Sequence, residues 1–195
     1  MIALMPEYRR AFVPGGTFFF TLVTERRAPL LADAAARTFL RTAFHVARER
    51  FPFTVEAIVL LPDHLHTLWT LPDEDANFSI RWSLLKATFT RLWLAANGSE
   101  QSVTESRRRN RRRGVWQRRF WEHSIRDDRD FERHCDYIHY NPVKHELASC
   151  PHAWEFSSFR RFVRDGYYDE SWLCRCRGRR SKAPNFLTLD RTAPE

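Results

Sequence analysis

The sequence predicts an α+β protein: a ferredoxin-like antiparallel sheet, assembled as a split β-α-β, with helices packed on one face. Three observations predict it. Segments with strand and helix periodicity follow one another as β-α-β-β-α-β, with a helix after the fourth strand. A two-residue break, Pro62-Asp63, separates two apolar strands and suggests an antiparallel hairpin. The long helical segments carry apolar stripes that need a partner surface.

In order, Pro14-Gly15-Gly16 is a turn signal, and Thr17 to Val23 is a strand rich in β-formers. Asp33 caps a helix over about 34–50, with Phe39, Leu40, Ala43, Phe44 and Ala47 on its buried face, and Pro52 ends it. Phe53 to Leu60 is the second strand and His64 to Thr70 the third. Asn77 caps a helix running to about Ala96, whose stripe is Phe78, Trp82, Leu85, Phe89 and Trp93, with Arg81, Lys86 and Arg91 towards other faces. From Asn97 to Gly114 apolar residues almost vanish, and this stretch reads as a flexible basic insertion. Val115 to Arg126 is the fourth strand. Asp127 or Asp128 starts a third long helix, expected to stop before Pro142, and Ser157 caps a last short one over 158–165. The chain divides into one domain over 1–172 and a basic, mobile tail over 173–195.

At 195 residues the chain is long enough for one domain with a real core. No segment approaches the roughly 18 apolar residues of a membrane span, and the first residues lack a secretion signal, so the expected location is cytoplasmic. The cysteines, at 135, 150, 174 and 176, match no clean zinc-finger spacing and are expected to be reduced thiols. The net charge is +8, and its placement matters more than its size. Arginines crowd 107–119 without a single acid, and a second basic run spans 175–182. Arginine interleaved with Trp116, Phe120 and Trp121 points to nucleic acid. The residues assigned to it are Arg9, Arg10, Lys86, Arg118, Arg119, Arg126 and Lys144.

One short stretch organises the rest: Leu61-Pro62-Asp63-His64-Leu65-His66-Thr67-Leu68-Trp69. Alternate side chains of a strand share a face, so His64 and His66 stand about 7 Å apart on one side, while Leu65 and Leu68 line different layers. On the third long helix Tyr137 and Asn141 are four apart and share a face. Tyr140 is rotated away from Asn141. A helix laid across the sheet would join two imidazoles, an amide oxygen and a phenol around one divalent ion. That set suits phosphodiester cleavage in which the phenol attacks phosphorus and a 3′-hydroxyl leaves.

These motifs together resemble a known family. His64-Leu65-His66 within Leu-Pro-Asp-His-Leu-His-x-Leu-Trp, then Trp116-Gln117-Arg118-Arg119-Phe120-Trp121-Glu122-His123, then Asp136-Tyr137-Ile138-x-x-Asn141-Pro142-Val143-Lys144-His145 are similar to the REP-associated tyrosine transposases, single-tyrosine members of the HUH endonucleases. The likeness extends to Tyr8-Arg9-Arg10, Gly15-Gly16-Thr17 and Phe78-Ser79-x-Arg81-Trp82. It implies an HUH endonuclease domain and Mg or Mn held by His64, His66 and Asn141. It also implies Tyr137 as nucleophile, forming a 5′-phosphotyrosine, and single-stranded DNA with a palindromic hairpin as substrate. Members can work as monomers, with a C-terminal tail near the site, and a monomer rather than a dimer is expected here. The insertion at 97–114 looks longer than the family needs. The alternative is a protein that binds hairpin single-stranded DNA or RNA without cutting it.

Overall fold

A computed structural model describes residues 13–110, 112–175 and 186. Its centre is a four-stranded sheet of β1 (Thr17–Val23), β2 (Thr54–Leu60), β3 (His64–Thr70) and β4 (Trp121–Ser124). All neighbours are antiparallel in the order β2-β3-β1-β4, the split arrangement expected. The strands form where β-branched and aromatic residues cluster, and alternation sends their side chains to two separate cores. Phe18, Phe20, Leu22, Leu65 and Trp69 face one way, and Phe19, Ala57, Val59 and Leu68 the other.

The first core is closed by α1 (Ala34–Arg50) and α2 (Phe78–Ala95), the two helices of the split unit, which do share one face. Asp33 caps α1 by accepting from the amides of Ala35 and Ala36, and Asn77 caps α2 through Ile80 N–H. Trp82 stacks on Trp69 with ring centroids 4.1 Å apart, seating α2 on β3. Arg81 departs from the expected outward position: it is buried, donating to the carbonyls of Pro52 and Asn77 and to Asp75. Those acceptors explain how a guanidinium is tolerated inside. The second core lies under α4 (Asp128–Lys144), on the opposite face of the sheet, with α5 (Phe159–Arg164) beside it. No helix among the described residues is long and apolar enough to cross a membrane.

Several boundaries move for physical reasons. β4 is shorter than expected: before it, Lys86 donates to the carbonyls of Gln117 and Arg118, and Trp116 makes only an isolated bridge to Thr24. α4 passes through Pro142 instead of stopping before it; a missing amide so near the end removes a single turn-closing bond. The basic insertion contains a short helix, α3 (Glu105–Arg109), and is fastened at two points by paired hydrogen bonds, Arg107 to Glu25 and Arg113 to Glu100. The expectation of reduced thiols is corrected for one pair: Cys150 and Cys174 form a disulfide. The fold joins the loop after α4 to the segment after Trp172, a meeting that sequence spacing does not reveal. Cys135 remains a free, buried thiol. Arg9, Arg10, Cys176 and the tail other than 173–175 and Phe186 lie outside the described residues.

Candidate active site at the histidine pair

Pro62 and Asp63 turn the chain from β2 into β3, so the histidine pair begins at the strand's first residue. The His64 and His66 rings lie 4.9 Å apart, buried on the face beneath α4. His64 Nδ1–H donates to Asp63 Oδ1 at 2.6 Å, and Arg27 donates to the other carboxylate oxygen at 2.9 Å. Burial opposes ionisation of Asp63, yet these hydrogen bonds and charges hold its carboxyl down at about 2. Strand register sets Thr21 opposite His66, and Thr21 Oγ1 pairs with His66 Nδ1 at 2.9 Å. With each Nδ1 engaged, Nε2 is the nitrogen each imidazole offers as a ligand.

From the other side α4 brings Tyr137. Its ring is 5.2 Å from that of His66 and 5.9 Å from that of Phe19. Lys144 Nζ stands 5.2 Å over the Tyr137 ring. Asn141 follows Tyr137 by one helical turn and is fully buried. Neither Oδ1 nor Nδ2 of Asn141 has a hydrogen-bond partner among the described residues, and neither does His64 Nε2. Buried amides and imidazoles are normally satisfied. A cation between sheet and helix would satisfy both, so these residues fit a divalent ion. His145 adds an imidazole 5.5 Å from His64.

Tyr140 turns elsewhere: its hydroxyl accepts from Arg175, and its ring lies 5.8 Å from Phe186. Phe186 also lies 5.5 Å from Tyr137, so this part of the C-terminal segment covers both phenols.

A histidine–carboxylate network borders the site. Asp130 binds His123 Nε2 at 2.8 Å and Arg126 Nε at 3.1 Å, and His134 Nδ1 bonds the Asp130 carbonyl at 2.7 Å. Burial resists Asp130's charge, but Arg126 and His123 bring its carboxyl to about 2, while burial drops His134 to about 4. His123, Asp130 and His134 have the donor types and closeness to hold a metal.

Most of the other expected nucleic-acid residues that are described do not gather at the histidines. Arg118 and Arg119 are exposed. Arg118 and Lys86 line a cavity of about 770 Å³ beside α2, with Arg91, Arg107, Arg112 and Arg113. Lys86 is committed internally, and burial, helped by the Arg107 charge, lowers its ammonium to about 8. Arg126 is tied to Asp130; of the described members of this group, Lys144 stands at the phenol. Sequence reading passes over Asp63, Thr21, Arg27 and Phe186 as site residues. Asp63 is visible as a carboxylate next to His64; Thr21 needs the strand register.

A ferredoxin-like sheet carrying a histidine pair, faced by a tyrosine-bearing helix, has the plan of a tyrosine transposase. No protein-family model matches the chain. A protein of Haemophilus influenzae assigned to the REP-associated tyrosine transposases is 43% identical over 168 residues, covering 86% of this chain and 93% of that one. A REP-associated tyrosine transposase of Escherichia coli K12 is 39% identical, covering 86% of this chain and 91% of its own. A solved structure of a REP-associated tyrosine transposase bound to a REP hairpin superposes with a TM-score of 0.71 at 40% identity, covering 86% of this chain and 91% of that one. The chain belongs to the REP-associated tyrosine transposase family.

Proposed function

We propose that this transposase nicks and rejoins single-stranded DNA beside REP-type palindromic hairpins, through a covalent 5′-phosphotyrosine on Tyr137. The observation that carries the reading is the meeting of Tyr137, on α4, with His66, on β3, their rings 5.2 Å apart. The hairpin in the solved relative supports the substrate class.

Tyr137 Oη attacks phosphorus; the new P–O bond forms as the bond to the 3′-oxygen breaks, and the 3′-hydroxyl departs carrying a proton. The linkage keeps the energy of the broken bond, so a second 3′-hydroxyl reverses the step without a nucleotide cofactor. Lys144 holds positive charge beside the phenol, where phosphate and a developing phenolate both need it. Asp63 and Thr21 fix the ring orientations of His64 and His66. His64, His66 and Asn141 would hold a divalent ion such as Mg or Mn, which would supply Lewis-acid polarisation of the phosphate. Tyr137 is only 1% exposed, so DNA reaching it displaces Phe186.

The test is an SDS-stable adduct with labelled REP-hairpin DNA and Mg or Mn. Wild type forms the adduct; Tyr137→Phe binds the hairpin and forms none, whereas Tyr140→Phe forms it. Tight binding by wild type without any adduct would mean a hairpin-binding protein that does not cut. An adduct that survives Tyr137→Phe and is lost in Tyr140→Phe would move the nucleophile to residue 140.

A further inference from the structure

Away from the histidine pair, the loop after α4 and the segment leading to Arg175 meet at Cys150, His152 and Cys174. The ligand atoms of these three residues lie within 4.8 Å of one another. In the oxidised state the two sulfurs are bonded, which leaves the imidazole unexplained. His152 Nδ1 is buried and has no hydrogen-bond partner among the described residues. An unmet buried polar atom is destabilising, and a disulfide offers it nothing. Two thiolates and an imidazole are, however, a soft donor set of the kind zinc takes. The local backbone suits this: Cys150 caps a short 3₁₀ turn with Pro151 at its start, and the turn carries His152 two residues on.

We propose that Cys150, His152 and Cys174 form a zinc site that alternates with the disulfide according to redox state. A dithiol reductant opens the bond: it passes two electrons and two protons to the cysteines and becomes a disulfide itself. Zn²⁺ then displaces both thiol protons to solvent and is held by two thiolates and the neutral imidazole. In either state residue 150 is tied to residue 174. The chain therefore enters Arg175, whose guanidinium bonds the Tyr140 hydroxyl, from a fixed point. The site shares no residue with His64, His66 and Asn141.

The experiment uses the full chain, reduced with a non-chelating phosphine and loaded with Zn²⁺ or Co²⁺ under anaerobic conditions. About one tightly held Zn²⁺ per chain is expected. Co²⁺ should give a sulfur-to-metal charge-transfer band, which ions on the histidine pair cannot produce, and oxidation with diamide should expel the metal. His152→Ala should weaken Zn²⁺ binding at least about tenfold, since losing even an outer partner of a ligand does as much, while still forming the disulfide when oxidised. Absence of the thiolate band from the reduced wild-type chain overturns the proposal whatever the variants do. So does unchanged affinity in His152→Ala, which would leave a disulfide and nothing more.

Discussion

Asp63 and Thr21 each fix one imidazole of the pair through Nδ1. Asp63→Asn and Thr21→Val should each lower affinity for Mn²⁺ by about 10–100-fold. The Asp63 change also removes a carboxylate held at about 2, so its effect should persist across neutral pH. Mn²⁺ titration followed by electron paramagnetic resonance checks both, with circular dichroism to confirm folding; unchanged affinity would make the two hydrogen bonds structural only. At this scale the sequence is informative wherever a relation is local. The spacing His64-x-His66 on a strand, and Tyr137 to Asn141 on a helix, are periodicities that need no tertiary knowledge. The pairing of Thr21 with His66 spans 45 positions and depends on register, and the cover of Phe186 on Tyr137 depends on where a basic tail returns. Neither relation leaves a mark in local spacing.

Among the elements, the arginine-rich insertion holds its charges in two settings. Arg107 and Arg113 are bound to Glu25 and Glu100, whereas Arg108 and Arg112 are exposed and Arg109 meets Glu105 at 3.5 Å on the exposed surface of α3. Neutralising those three should lower the slope of log affinity against log salt by about 0.7 for each phosphate of single-stranded DNA that they neutralise in the wild type. Arg107→Ala should leave that slope closer to wild type and loosen α3 instead, read as faster amide exchange over 105–110. An unchanged slope in the triple variant would assign the segment no part in DNA binding. Composition reveals the basic character but conceals the anchoring, because Glu25 lies 82 positions away. The strand and helix order is legible because each element has a clear period and a cap, as Asp33 and Asn77 show. The late start of β4 is not, since the residues before it give their carbonyls to Lys86 from another element.

The whole molecule carries a pH dependence in its second core. Burial lowers His134 from 6.5 to about 4, and burial with the nearby Arg161 charge lowers His139 to about 3. Below about pH 6.5 the unfolded chain accepts protons that these two folded imidazoles refuse, so stability falls on acidification by about 1.4 kcal/mol per pH unit for each. The contribution is complete above 6.5 and disappears as pH drops through about 4 and about 3. Urea midpoints should therefore decline from about pH 6.5 to about pH 4, and His139→Gln should lessen the decline; a midpoint that rises over this range contradicts the assignment. His139 also bonds Ser158 at 2.8 Å, and Ser158 in turn bonds Ile58, so α4, α5 and β2 share one junction. Because each face of the sheet is roofed by helices, β3 is buried from His64 through Trp69. Neither parity of that strand is free to drift over evolutionary time: odd positions answer to packing and even ones to packing or chemistry. The two imidazoles are thus embedded in the stretch of chain least able to change around them.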